Sequence, residues 1–254
     1  TFNALGVIVV LPFTAAFARL MFRLVPPERS DLTGRLDRKL VGDPVAATHA
    51  LARTLRLVTR ATFRLAARAL SPSAQRIDTA ELEEVVAELR RYAESIHAPS
   101  PARSAAPALV DALHGIDHLD RLLDRLAQRE RLAVLQVDGR LARSAARFRR
   151  VLLRIAVLLR EAPAAGELAA RDSTAVAELA ALARELTESQ SSDRQRTLEG
   201  AARREWSLQV GIDRLDAIRW LMRSAYHAER LTHYLGLEPA AAHAPSPSDD
   251  ETQP

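Results

Sequence analysis

The 254-residue chain contains no cysteine, and aromatic residues make up only 4% of it. Without cysteine it can form no disulfide, no thiolate metal site and no cysteine nucleophile. A scarcity of aromatics beside abundant Ala, Leu and Arg is typical of long packed helices, not of strand-rich folds. The sequence also has no Gly-rich nucleotide loop and no Ser/His/Asp arrangement in a recognisable context. We therefore predict an all-α protein that is not an enzyme.

Charges of the two signs are nearly balanced, with 36 basic and 32 acidic residues and a net charge of +4. Every basic side chain except Lys39 is arginine, and most arginines lie in segments that also carry acids. This distribution argues against a dedicated nucleic-acid surface. Four arginines lie at helical spacing and are called the arginine row here: Arg53, Arg56, Arg60 and Arg64. The row could contact phosphate or an anionic lipid surface. The pattern favours the other interpretation, a solvated helix face.

The amino-terminal segment is a long apolar run that continues, past Arg19, to Val25. It is long enough to cross a hydrocarbon core of about 30 Å at about 1.5 Å per residue. Because the chain begins at Thr1 inside this run, we expect further sequence upstream. The alternative is a buried helix of a soluble domain, since Pro12 interrupts the run.

Basic residues follow the apolar run instead of preceding it, which is the order of a final membrane span and not of a signal peptide. A basic segment after the span places the remaining chain in the cytoplasm. Pro26 and Pro27 end the helix. We predict the end of a membrane domain at residues 1–25 and a linker at residues 26–43.

From residue 44 to residue 236 the apolar periodicity predicts six helices. The first begins after the N-cap Asp43, with Pro44 at its first position. Asp78 and Glu81 form a capping-box pattern before the second. We expect the sixth to run from about Leu198 to Leu235, with Gly236 as its C-terminal cap. Residues 237–254 contain too few apolar side chains to pack and should be disordered.

The third and sixth predicted helices share a sequence pattern. Ile116-Asp117-His118-Leu119-Asp120 aligns with Ile212-Asp213-Arg214-Leu215-Asp216. A repeat of this length predicts a duplicated three-helix bundle, with one copy at residues 44–130 and the other at residues 131–236.

Two of these segments resemble those of known families. The run from Leu119 to Asp124 resembles the Leu-Glu-Arg-Ile-Gly-Asp signature of PhoU domains, which are phosphate-uptake regulators. The run Arg219-Trp220-Leu221-Met222-Arg223-Ser224-Ala225-Tyr226-His227 is similar to one in the PhoU-like tail of bacterial sodium:phosphate cotransporters. Phe2-Asn3 and Leu11-Pro12-Phe13 resemble elements of the last span of those transporters. The resemblance covers nearly the whole chain.

The resemblance implies a fold of two pseudo-repeated three-helix bundles after a terminal transmembrane helix, in the bacterial inner membrane, with the bundles in the cytoplasm. It implies sodium-dependent transport of inorganic phosphate, with phosphate and sodium bound in membrane repeats upstream, and with regulatory proteins or a second copy as partners. The alternative is a membrane-tethered helical adaptor that senses metal or phosphate status without transport by the same chain.

Acidic residues in both repeats are candidate ligands for a divalent metal ion, as the PhoU resemblance implies. Their positions are Asp117, Asp120, Asp124, Asp213 and Asp216. The first three are spaced three and four residues apart, so their carboxylates project from one side of a helix and could ligate a hard cation. Because Arg121 and Arg125 are adjacent, a solvated, arginine-balanced face is the competing interpretation. The second repeat has Trp220 where the first has Asp124, and we expect this indole to anchor the core.

Five histidines were further candidates for a metal or phospho-acceptor role: His97, His114, His118, His227 and His233. None of them has the spacing of a zinc-binding helix. We therefore assign them no site from sequence.

Overall fold

The structure is a computed structural model that describes residues 32–34, 36–71, 77–96, 106–128, 134–161 and 173–237. These ranges contain no strand, which confirms the all-α prediction for them. Their six long helices are α1 (Pro44–Ala69), α2 (Ala80–Ser95), α3 (Ala106–Ala127), α4 (Gly139–Glu161), α5 (Ser173–Ala202) and α6 (Leu208–Tyr234). A 3-10 helix, Arg38–Gly42, precedes α1 inside the predicted linker, and one helical turn, Val134–Val137, precedes α4.

No helix within the described ranges combines the length and the apolarity that crossing a membrane requires. The membrane helix predicted at residues 1–25 and nearly all of the predicted tail lie outside the described residues.

Two predicted helix ends are confirmed. The Asp43 carboxylate accepts hydrogen bonds from the amides of Val45 and Ala46, at 3.0 and 3.1 Å, and Pro44 opens α1. At the end of α6, Gly236 has φ +67°, where a side chain would strain the backbone. Its amide donates to the carbonyl of His233 at 2.8 Å, and the next amide, that of Leu237, donates to Thr232 at 3.0 Å. This is a Schellman ending, in which two otherwise unsatisfied carbonyls gain donors.

The predicted start of α2 was wrong by one residue. The N-cap is Thr79, whose hydroxyl donates to the Glu83 carboxylate at 2.6 Å. Asp78 lies one residue before the cap, and its carboxylate accepts from the Ala80 amide at 3.0 Å. The bond from the Ala80 amide to Asp78 closes a turn just before the helix. Because Thr79 and not Asp78 is the N-cap, Asp78 and Glu81 form no capping box.

The predicted start of α6 was also wrong. Helix α5 continues through Leu198 to Ala202, and α6 begins only at Leu208. Between them the chain reverses at Arg204, which has φ +61°. The Trp206 ring then lies against Gly200, and its Nε1 donates to the carbonyl of Thr197 at 3.2 Å. The turn has no Gly or Pro between residues 203 and 207, so it lacks the usual sequence signal.

The helices form two groups. Helices α1, α2 and α3 pack against one another, and α5 packs against both α4 and α6. The groups are joined by α1 against α4 and by α3 against α6. Fully buried residues from both groups, such as Phe63 and Phe148, belong to one continuous core. That the two groups are superposable copies stays a prediction.

Helices α3 and α6 run antiparallel, since the Arg125 carbonyl near the end of α3 contacts Trp220 while Gly115 lies near Tyr234 at the end of α6. A Cβ on Gly115 would lie 2.7 Å from Leu55 Cδ2 and 3.9 Å from Tyr234 Cβ. The missing side chain therefore lets α1, α3 and α6 approach one another closely.

The contact between Gly200 and Trp206 predicts a stability loss on substitution. In Gly200→Ala the new Cβ would overlap the indole ring, so we expect the free energy of unfolding to fall by about 1–3 kcal/mol, as for other overpacked sites. Urea denaturation followed by circular dichroism measures the change. The matched control is Gly139→Ala at the start of α4, where the new Cβ would meet only the flexible end of the Arg143 side chain, at 3.8 Å. It should be neutral or slightly stabilising. An equal effect of the two substitutions would contradict the prediction.

Candidate functional site

The three predicted acidic residues of α3 differ in whether they form ion pairs. The Asp117 carboxylate accepts from Arg121 on the same helix at 2.9 Å, and Asp120 accepts from Arg90 of α2 at 2.8 Å. Asp124 is exposed and has no ion pair within the described part of the chain. Both ion pairs are solvent-accessible, with carboxylates 50% and 38% exposed, so each contributes at most about 1 kcal/mol.

The acidic residues of α6 also have neighbours on their own helix. Asp213 accepts from the Gln209 side-chain amide at 2.9 Å. Asp216, whose side chain is 27% exposed, pairs with Arg219 at 3.2 Å. Among the described residues no three His, Asp or Glu side chains form a group that could hold a metal ion. Metal binding at the five predicted carboxylates stays a prediction.

The same two helices bring together a histidine pair that sequence reasoning missed. Nδ1 of His118 on α3 lies 3.1 Å from Nδ1 of His227 on α6. At this distance one ring must donate its Nδ1 proton and the other must accept it, so the rings hold opposite tautomers. His227 is only 8% exposed, and His118 is partly buried. Because 109 residues separate them, no local spacing could reveal the pair. His97 lies outside the described residues.

Aromatic rings enclose the histidine pair. Tyr234 stacks on His118 and on His114, with ring centroids 5.5 and 4.9 Å apart, and Tyr226 meets His118 edge-on. Arg230 lies over the Tyr234 ring at 5.0 Å and donates to its hydroxyl at 2.8 Å. These contacts hold the imidazoles in a layer between α3 and α6.

The environment of the pair favours neutral imidazoles. Burial is the main reason that the pKa of each ring is lowered to about 4. Asp117 opposes this shift at both rings, while Arg121 adds to it at both and Arg230 adds to it at His118. At neutral pH the pair therefore carries one shared hydrogen bond and no charge.

A second polar cluster lies where the start of α4, the end of α5 and the start of α6 meet. It surrounds a cavity of about 230 Å³ lined by Asp138, Arg140, Asp193, Arg196, Trp206 and Arg214, among others. Asp193 pairs with Arg140 and, at 3.2 Å, with Arg196. Arg214 pairs with Asp138 and lies 4.1 Å from the centroid of the Trp206 ring.

Asp138 is the central residue of this cluster. Its carboxylate caps α4 by accepting from the amides of Arg140 and Leu141, at 2.9 and 3.1 Å. Burial by itself would raise the pKa of Asp138, but the hydrogen bonds from Arg214 and from the two amides lower it overall. Since each carboxylate of the cluster pairs with an arginine of another helix or helix end, the role of the cluster is to fix the start of α4 against α5 and α6.

Comparison of the chain with protein-family models, with curated proteins and with solved structures finds no match.

The lowered pKa values of the histidine pair predict acid sensitivity. An unfolded chain protonates each ring near pH 6.5, whereas the folded chain does so only near pH 4. The unfolded state thus binds more protons in this window, and stability should fall as pH falls through it, by up to about 1.4 kcal/mol per pH unit for each ring. Urea denaturation at a series of pH values measures the slope.

The variant carrying His118→Leu and His227→Leu should show a flatter slope between pH 6.5 and pH 4, because neither replacement can be protonated. The control is His49→Gln, an exposed position on α1, which should keep the slope of the parent chain. If the double variant keeps that slope as well, the histidine pair is not its source.

The acidic residues of α3 make a separate prediction. If Asp120 and Asp124 ligate a divalent cation, the ion should stabilise the fold by about 2.7 kcal/mol at a hundredfold excess over its dissociation constant. Asp120→Asn with Asp124→Asn should abolish this gain in manganese and change little in chelator, since an exposed ion pair contributes little. Thermal melting with and without metal makes the comparison. Asp111→Asn, an exposed acid elsewhere on α3, is the matched control. An equal manganese response in the double variant and the control would identify the cluster as a solvated face.

Proposed function

We propose that this chain is the carboxy-terminal part of a sodium-coupled inorganic phosphate transporter of the bacterial inner membrane. In this proposal residues 1–25 are its last membrane helix, and residues 44–236 are a cytoplasmic PhoU-like domain that adjusts transport. Phosphate and the coupling sodium ion bind upstream. Regulatory proteins or a second copy of the chain are the proposed partners of the helical domain, and no catalytic step is assigned to it.

The observation that carries the proposal is the position of the two resembling motifs. The segment 119–124 lies on α3 and the segment 219–227 lies on α6, and these two helices form one of the two contacts that join the halves. Trp220 is 3% exposed and donates to the carbonyl of Arg125 at 2.6 Å, and His227 meets His118. The 219–227 motif therefore supplies buried contacts between the halves, and its partners Arg125 and His118 directly flank the 119–124 motif.

Helix pairing between the halves is a second support. The first helices of the two halves, α1 and α4, pack together, and so do the last helices, α3 and α6. A two-fold pseudo-symmetric duplication produces pairing of this kind, because the axis brings equivalent surfaces into contact. The pairing supports the PhoU-like architecture from which the proposed regulatory role follows.

Uptake of radiolabelled phosphate tests the proposal in bacteria that lack their own phosphate carriers. Cells expressing the complete reading frame that contains this chain should accumulate phosphate with sodium outside and not with potassium. Deleting residues 44–237 should change the rate or the apparent affinity without abolishing uptake. The matched control deletes residues 240–254, the tail that the sequence predicts to be disordered, and should leave uptake unchanged.

Two results would overturn parts of the proposal separately. Uptake that is the same in sodium and potassium, or no uptake, would reject the transporter and favour the tethered adaptor. Sodium-dependent uptake that is unaffected by deleting residues 44–237 would keep the transporter and reject the regulatory role of the helical domain.

A further inference from the structure

Helix α1 carries positive charge that no acidic residue of its own balances. It carries five arginines, at positions 53, 56, 60, 64 and 68, and no acidic residue over its 26 residues. None of the five forms an ion pair or a side-chain hydrogen bond with any residue that the structure describes. The positive charge of this helix is therefore not neutralised within the described fold.

The corresponding helix of the other half shows the contrast. Arg147 of α4 pairs with Glu178 and Glu185 of α5, and Arg154 pairs with Glu178 and bonds to Thr174. Helix α2, which packs against α1, carries several glutamates, yet none of them pairs with an α1 arginine. Arg147 and Arg154 of α4 are thus used for packing inside the domain, and the arginines of α1 are not.

The arginine row lies on the outward side of α1, because the opposite side is in the core through residues such as Leu51, Leu55 and Val58. Arg53 and Arg64 at its ends are exposed, and Arg56 and Arg60 between them are half-buried. The Nε atoms of these two middle arginines are buried without a hydrogen-bond partner. Burial also lowers the pKa of Arg56. Half-buried guanidiniums without a counter-charge are costly, and an anion against the row would compensate them.

We propose that the arginine row of α1 docks on the anionic lipid headgroups of the membrane that residues 1–25 are proposed to enter. The row extends about 16 Å along a straight helix, at about 1.5 Å per residue, which suits a flat array of phosphates. The end of the predicted linker packs on the helical domain, where Leu32 and Leu36 contact the core. The six linker residues before Leu32 span about 20 Å when extended, so the domain that carries α1 is held close to the bilayer surface.

The row fits a lipid surface better than a single-stranded nucleic acid. Sequence-tolerant binding of unpaired bases uses exposed aromatic side chains for stacking. The only aromatic ring of the Phe, Tyr and Trp type on α1 is Phe63, which is fully buried. Cationic segments beside a membrane are drawn to anionic leaflets by charge alone, and this requires no aromatic residue.

The absence of cysteine allows a direct test with the full chain, because one introduced cysteine takes one label. A polarity-sensitive dye at His49→Cys, one turn before Arg53 and exposed on α1, reports contact with lipid. A dye at Ser191→Cys, exposed on α5, is the matched control. The chain is mixed with vesicles of phosphatidylcholine alone or with added phosphatidylglycerol, and quenching by a headgroup nitroxide is measured.

With phosphatidylglycerol, quenching at position 49 should rise and should be reversed by high salt, which screens charges. Position 191 should not respond. Each Arg→Gln change in the row should weaken the anionic-lipid effect about fivefold, so that the fourfold Gln variant loses it. The fourfold Arg→Lys variant, which keeps the charge, should retain it and shows that loss in the Gln variant is not misfolding.

The inference rests on the proposed membrane function for the nearness of the bilayer, and the experiment separates the two. If the chain does not float with phosphatidylcholine vesicles, membrane anchoring by residues 1–25 fails. Lipid binding by the arginine row is then tested separately. The parent chain should float with vesicles that contain phosphatidylglycerol, and the fourfold Gln variant should not. No response to phosphatidylglycerol at position 49 would overturn the inference, and so would row-dependent binding of a short RNA without any response to lipid.

Discussion

The indole of Trp220 lies buried between α6 and the end of α3 and donates its proton to the carbonyl of Arg125. Further along the same two helices, His118 meets His227, and Tyr234 lies close to Gly115. These contacts cross from the first group of three helices to the second. With the pairing of α1 and α4 they form a four-helix centre, and α2 and α5 pack mainly against its sides. Loss of the α3–α6 contact would leave the packing of α1 on α4 as the main connection between the two groups.

The arginines of α1 are used differently from the paired arginines of the second half. In the second half, arginines of α4 bind glutamates of α5, and the Asp138–Arg214 pair fastens the start of α4 to the start of α6. These charges are neutralised inside the domain and stabilise helix packing. In the first half, the arginine row of α1 has no such partners among the described residues. The described fold therefore leaves the arginine row with unneutralised charge, and this is where we propose contact with the membrane.

The candidate site was only partly accessible from sequence. Spacing placed Asp117, Asp120 and Asp124 near one side of a helix, since that follows from helical periodicity. It could not show that Asp120 meets Arg90 of another helix, 30 residues away. Spacing also could not show the histidine pair, because His118 and His227 lie 109 positions apart in the sequence. Both contacts depend on how three separate helices pack.

The sequence alone predicted the helix content, the start of α1 and the end of α6. Asp43 with Pro44 and the glycine at 236 act through bonds that span five residues or fewer, so their sequence signals are complete. The reversal after Ala202 did not follow, because no turn residue marks it. It depends on Trp206 folding back on Gly200, with Arg204 held at φ +61°. The packed structure alone established that turn, the histidine pair and the unpaired arginine row, since each results from many side chains finding their neighbours at the same time.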